Sequence, residues 1–352
     1  MFQSLVIPVL LPIFLVAAAV VWVASTHLST SSDLLADRWH LGQALAGLLL
    51  IAIVEDLPEV VIVVSGVLAH HFDLITGNLL GGIATQTVIL VAVDAIGVAD
   101  HPLSYQAASL VMVLEGLQGL VVFSLVLLAT QLPASLIGLR LTPGSVLIFV
   151  AWLLTTWLIK QAPTRLPWQA EAEAPLPPAI TQVQAKQKAK QHRTSTRHAA
   201  LVFAASALAI LAAGYALEES SSALARDVGL SGVVFGGTIL ALATGLPEFS
   251  TGYTAAKCGS FALAVSEVFG SNTFLPVLFL PATLLAGQAI LPNAKAAEIY
   301  LTGLGMLLTT VYLWGLIFRP ARQYLRLGPD SIVVLVAYAI GVAGLVAIAG
   351  GG

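Results

Sequence analysis

Ten stretches of this chain are each long and apolar enough to cross a lipid bilayer, and no other property narrows its fold as far. They span residues 4–25, 43–70, 74–98, 105–130, 143–160, 199–217, 231–256, 261–286, 297–318 and 331–349. A hydrocarbon core about 30 Å thick takes about 20 residues of helix. The stretches are continuously apolar rather than alternating, which selects helices over a β-barrel. Only 9% of the 352 residues are charged, against about 25% in soluble domains, so a soluble core could not bury the remainder. The expectation is an all-α integral membrane protein with ten transmembrane helices, surrounded by the lipid bilayer. The first stretch lacks a basic n-region and a clear cleavage site, and reads as a retained span rather than a signal peptide. Cys258 is the single cysteine, which rules out an intrachain disulfide or a thiolate metal cluster. There is no P-loop or dinucleotide fingerprint, so neither ATP drive nor a bound cofactor is expected. The net charge of −3 gives no reason to expect a nucleic-acid partner.

Residues 161–198 interrupt the apolar pattern. They hold Pro163, Pro167, Pro175, Pro177 and Pro178, then a basic tract from Lys186 to Arg197. This is linker composition. It divides the chain into a five-helix half at 1–160 and a second at 199–352. With the linker cytoplasmic, that side of the membrane carries Arg38, Lys160, Arg165, Lys186, Lys188, Lys190, Arg193, Arg197, Lys257, Arg319, Arg322 and Arg326. The other side carries only Arg140, Arg226 and Lys295. The excess follows the positive-inside rule and puts both termini outside, in a multi-pass arrangement suited to a prokaryotic inner membrane. Five is an odd number of spans, so the second half enters the bilayer upside down relative to the first. Secondary transporters are built on such inverted repeats, with the substrate at the midplane between them.

One tripeptide recurs within this layout. Leu57-Pro58-Glu59 and Leu246-Pro247-Glu248 both fall inside apolar stretches. A proline there removes a backbone donor, and an ionised carboxylate at the bilayer centre costs roughly 2.5–3.5 kcal/mol. Two copies point to an ion site on a duplicated scaffold. Aligning Glu59 with Glu248, an offset of 189, also pairs Asn78 with Glu267, Gly81 with Gly270 and Gly82 with Ser271, without a gap. The prolines cannot donate to the carbonyls of Val54 and Ala243, which become available to a cation. Glu59 and Glu248 add hard oxygen ligands of the kind Ca²⁺ takes. Asn78, Gln86, Glu267, Ser271 and Asn272 lie on the following helix of each half and could complete the cage, as could the Thr244 hydroxyl.

The paired motifs resemble the alpha repeats of the cation/calcium exchanger superfamily, the membrane domain of sodium/calcium exchangers. That family reads Gly-Thr-Ser-Leu-Pro-Glu and then Gly-Asn-x-x-Gly-Ser-Asn in both halves. This chain carries LPE at 57–59 with GNLLGG at 77–82, and ATGLPE at 243–248 with SEVFGSN at 266–272. The resemblance implies two inverted five-helix repeats. It implies secondary antiport of a divalent cation, Ca²⁺ foremost, against H⁺ or Na⁺. It also implies that Glu59 and Glu248 ligate Ca²⁺ and that Thr244 and Ser271 supply ligand hydroxyls. The chain departs from the family where Thr-Ser before the first LPE is Glu55-Asp56. Gly245 replaces the serine in the second, and Glu267 replaces an asparagine. Gln86 and Leu275 stand where the family has Asn or Asp. Sodium ligands are thus depleted and carboxylates added, which favours H⁺ as the driving ion.

Other polar residues have plainer expectations. Glu55 and Glu59 share a face of a continuous helix, with Asp56 pointing elsewhere. Asp94 is near the end of its span and would reach the interface, whereas Glu115 is deep in its span and could touch the site from behind. His70 and His71 form an interfacial turn with no partner at metal-ligand spacing, and Asp73 belongs to the same turn. The rivals are an exchanger for Mg²⁺, Mn²⁺ or a monovalent cation, and an intramembrane enzyme using the carboxylates. The second lacks a Ser/His, HExxH or diacidic protease pattern, so no enzymatic activity is expected.

Overall fold

A computed structural model describes residues 5–39, 52–98, 101–135, 140–165 and 194–350. Its helices are α1 (Ile7–Trp39), α2 (Leu57–Leu68), α3 (Phe72–Gly97), α4 (Leu110–Thr130) and α5 (Pro143–Arg165). The second half holds α6 (Thr196–Asp227), α7 (Gly232–Thr244), α8 (Leu246–Lys257), α9 (Phe261–Ala286), α10 (Ala296–Phe318) and α11 (Pro329–Gly350). Eight of these are long and apolar enough to span, and the bent pair α7–α8 makes a ninth. The helix α2 is shorter, and the part of the 43–70 stretch before residue 52 lies outside the described residues. So does most of the 161–198 linker.

Burial sorts the helices into an inner and an outer set. In α3 and α9, 78% and 72% of the membrane-spanning window is buried, against 17–33% for α1, α5, α6 and α11. The outer helices turn Leu15, Val16, Leu154, Leu208 and Ile340 outward, as expected of a surface in contact with lipid. The inner helix α3 has 26 residues, at about 1.5 Å per residue long enough to cross the hydrocarbon core of a bilayer. At its start Asp73 pairs with Lys295, 2.9 Å away. At its end Asp94 accepts from the amides of Leu103 and Gly328 and from the Ser331 hydroxyl, at 2.7–2.8 Å. Asp94 is fully buried; it does not reach the interface, because two donors from connecting segments and one from the first turn of α11 draw it inward.

Small residues set the central crossing. A Cβ added to Gly81 would lie 2.3 Å from the Cα of Gly237, and one added to Gly77 would lie 2.5 Å from the carbonyl oxygen of Val233. The backbones of α3 and α7 touch there, as glycine allows between membrane helices. In α7 a π-helical turn, Gly236–Leu240, occupies this contact.

Two helices run well past their apolar stretches. Helix α1 continues from the expected 4–25 to Trp39, and α6 from 199–217 to Asp227. The extensions are polar, yet Ser31, Ser32, Ser220 and Ser221 are buried. Each hydroxyl donates to a carbonyl of its own helix, for example Ser31 to Leu28 at 2.9 Å and Ser221 to Leu217 at 2.6 Å, so none of these four hydroxyls is stranded. The offset of 189 holds here too. Leu28, Ser31, Ser32, Leu35 and Ala36 match Leu217, Ser220, Ser221, Leu224 and Ala225. The duplication therefore extends beyond the motifs.

Candidate cation site

The two Leu-Pro-Glu segments each begin a helix. Asp56 donates its amide to the carbonyl of Ala52 and accepts from the amide of Val60, both at 3.0 Å. Gly245 makes the same pair of bonds with Ala241 and Phe249, at 3.0 and 3.1 Å. Every atom pair is related by 189 residues, so one local structure has been built twice. The proline occupies the first turn of the new helix, where no amide donor is needed. At the second break the helices bend by 42°. Glu59 and Glu248 consequently sit in the first turns of α2 and α8, where the positive end of the helix dipole favours a carboxylate.

The breaks bring three carboxylates together. Oxygens of Asp56, Glu59 and Glu248 lie within 4.8 Å of one another, and all three residues are buried. Near the middles of α3 and α9, Gln86 and Ser271 tie the group together. The Ser271 hydroxyl donates to Asp56 Oδ1 and accepts from Gln86 Nε2, which is 3.0 Å away. Both also stand 3.5 Å from Glu248 Oε1. Several buried polar atoms point at no donor or acceptor: both Glu59 carboxylate oxygens, Glu248 Oε2, Gln86 Oε1, Asn272 Oδ1 and both polar atoms of Asn78. A buried oxygen without a partner is costly. Those of Glu59 and Glu248 stand with Asp56 and beside Gln86, and such a group of oxygens is a donor set for a hard cation. Three negative charges at this spacing also repel strongly away from water, and either a divalent cation or protons would neutralise them.

A cavity of about 220 Å³ leads to these groups. Its lining includes Ser25 and Ser29 of α1, Thr251 of α8, and Leu263, Ser266, Glu267 and Gly270 of α9, together with Glu55. Thr251 and Leu263 lie toward the Lys257 end of α8 and the start of α9.

Most of the residues expected from the sequence converge, in changed roles. The helix does not run on from Glu55 to Glu59. The break turns Asp56 inward to meet Glu59, and leaves Glu55 exposed at the cavity wall. Glu267 is half-buried on the same wall, outside the three-carboxylate group. Thr244 is buried, its hydroxyl directed to the carbonyl of Ala241 at 3.3 Å. Asn78 is buried and unpartnered. Glu115 stands behind the cavity, accepting from Ser266 at 3.0 Å. Sequence reasoning missed Ser25, Ser29 and Thr251, since hydroxyl residues carry no charge signal in a helix. The register of Ser25 and Ser29, four apart on α1, is the pattern that would have shown them.

Comparison with known proteins follows the same outline. The sequence model of a family described as "Sodium/calcium exchanger protein" matches residues 9–160 and 198–347. A protein of Alkalimonas amylolytica provisionally named antiporter CaxA is 24% identical over 282 residues, 79% of this chain and 81% of its own length. The fold is similar to the crystal structure of the H⁺/Ca²⁺ exchanger CAX, with a TM-score of 0.62 at 13% identity over 97% of this chain and 86% of that one. It is also similar to the sodium-calcium exchanger NCX_Mj, with a TM-score of 0.54 at 17% identity over 96% and 99% of the two chains.

Proposed function

The chain belongs to the sodium/calcium exchanger protein family, and from that membership we propose that it is a secondary antiporter moving a divalent cation, Ca²⁺ foremost, against H⁺. The observation that carries this reading is the trio of buried carboxylates, Asp56, Glu59 and Glu248, within 4.8 Å of one another. The cation binds among these oxygens and those of Gln86, Asn78 and Ser271. Imidazole and thiolate donors are missing from this set, which suits a hard ion. Protons replace the cation on the same carboxylates when it leaves, and this competition couples the two fluxes. Asp56 is the residue that distinguishes H⁺ from Na⁺ drive. It places a third carboxylate where the family pattern has a neutral hydroxyl, and neutralising that extra charge takes protons rather than one monovalent ion. Glu55 and Glu267 give the cavity an acidic wall that concentrates cations. The N- and C-termini lie outside and the 161–198 linker in the cytoplasm, following the distribution of Lys and Arg.

Uptake of ⁴⁵Ca²⁺ into proteoliposomes with imposed ion gradients tests this. A pH gradient without Na⁺ should drive uptake, and Glu59→Gln and Glu248→Gln should each abolish it. Strict dependence on Na⁺ would replace H⁺ as the coupling ion. Unchanged uptake in both variants would remove the site.

A further inference from the structure

A second cluster of ligand-bearing side chains stands apart from the carboxylate trio. His71, in the turn between α2 and α3, meets Glu218 of α6, with Nδ1 2.7 Å from Oε1. Glu219 follows, and one ligand atom from each residue lies within 4.8 Å of the others. Glu59 is in the first turn of α2 and His71 lies past that helix's last residue, Leu68, roughly 13 Å along its axis, so the two clusters do not share an ion.

We propose that His71, Glu218 and Glu219 form a second divalent-cation site, one that takes a borderline transition ion such as Zn²⁺ rather than Ca²⁺.

Three observations support this. The Glu218 side chain is 0% exposed, and its Oε2 has no hydrogen-bond partner. A salt link to His71 occupies only half of that carboxylate, and the other half is a buried oxygen available to a ligand. Second, the backbone holds the imidazole in place. His70 takes a left-handed conformation, φ 62°, and the His71 amide donates to the carbonyl of Gly66 at 2.8 Å. Gly66 also makes room for the carboxylate, since a Cβ there would lie 3.1 Å from Glu218 Oε1. Third, the fold does not require these side chains. At the offset of 189, His71, Glu218 and Glu219 correspond to Ser260, Ser29 and Thr30. The other half builds the same turn, with Gly259 at φ 74° where His70 stands. Imidazole and two carboxylates were thus added to one end of the molecule only.

The donor set decides the ion. One imidazole with two carboxylates is a three-ligand site with a position left for water, as Zn²⁺ takes. Ca²⁺ prefers six to eight oxygens. Bound there, the ion would tie α6 of the second half to the helix that carries Glu59.

Zinc binding to the purified full-length protein tests the proposal, in a Glu59→Gln/Glu248→Gln background that removes the first cluster. About one Zn²⁺ should bind in that background and resist a tenfold excess of Ca²⁺. The triple change His71→Ser, Glu218→Ser, Glu219→Thr copies residues the same scaffold carries in its other half, which guards against failure to fold. It should weaken binding at least about tenfold. His71→Cys should retain binding, and X-ray absorption at the zinc edge should then show one sulfur ligand absent from the parent. Zinc binding that the triple change leaves intact, or no zinc binding at all, would reduce the cluster to a salt link. Loss of ⁴⁵Ca²⁺ transport bears only on the proposed function, and leaves this test standing.

Discussion

Among the described residues Ser271 is the one hydroxyl hydrogen-bonded to both Asp56 and Glu248, and Gln86 orients it from the facing helix. Replacing Ser271 by Ala removes a charge-assisted bond worth about 1.5 kcal/mol, so the half-saturating Ca²⁺ concentration should rise about tenfold. The measurement is ⁴⁵Ca²⁺ uptake over a range of Ca²⁺ concentrations, in which maximal uptake should change less than the concentration dependence. Asp94 provides the contrast. It is as buried as the site carboxylates, but its oxygens accept from Leu103, Gly328 and Ser331 instead of facing a cavity. Asp94→Ala leaves two buried amides unsatisfied and should cost about 2–4 kcal/mol. Thermal unfolding in detergent should shift downward while transport per folded molecule stays constant. Carboxylates of both kinds look alike in a hydropathy profile. Only the donors around them separate a ligand from a clasp, and those donors lie up to 237 residues away in the chain.

Among the helices, the contact of α3 with α7 is the least forgiving. At Gly81 the obstructing atom is the Gly237 Cα, 2.3 Å from an added Cβ, and backbone cannot rotate away as a side chain can. Gly81→Ala should therefore part the two helices and destabilise the protein by more than about 3 kcal/mol. Gly303→Ala in α10, where an added Cβ meets nothing within 4 Å, should be silent. Yield of monodisperse protein on size-exclusion chromatography compares them directly. The helices themselves were largely legible from run length, because a bilayer demands continuous apolarity. The duplication was legible because Pro, Glu and Gly matches at fixed spacing are improbable by chance. Two features were not. A polar extension such as STSSD in α1 ends an apolar run, although Ser31 and Ser32 within it are buried and their hydroxyls are satisfied within the helix. The break before Leu-Pro-Glu reverses the roles of Glu55 and Asp56, because the face argument assumed a helix unbroken at the proline.

Taken whole, the molecule is a duplicated scaffold held in an asymmetric state. Gly81 and Gly270 are related by the offset of 189, yet their surroundings differ. Gly81 is pressed against Gly237, while Gly270 is exposed on the cavity wall with nothing within 4 Å of an added Cβ. The site is thus approached along α9, and the corresponding face of α3 is sealed by α7. In an inverted repeat the two halves enter the membrane in opposite senses, so exchanging their conformations moves the opening to the other end. Gly270 would then take the packed position that Gly81 holds now, and a bulky side chain there would block the exchange without disturbing the present state. Gly270→Trp should fold, because its side chain enters open space. It should lower exchange turnover at least about tenfold, since the closing step is obstructed rather than the chemistry of binding. Binding of Ca²⁺ to the detergent-solubilised variant should persist, because Asp56, Glu59 and Glu248 are untouched. Transport at the parent's rate in Gly270→Trp would mean that α9 does not close in the cycle, and the asymmetry between the two glycines would then be a static property of the fold.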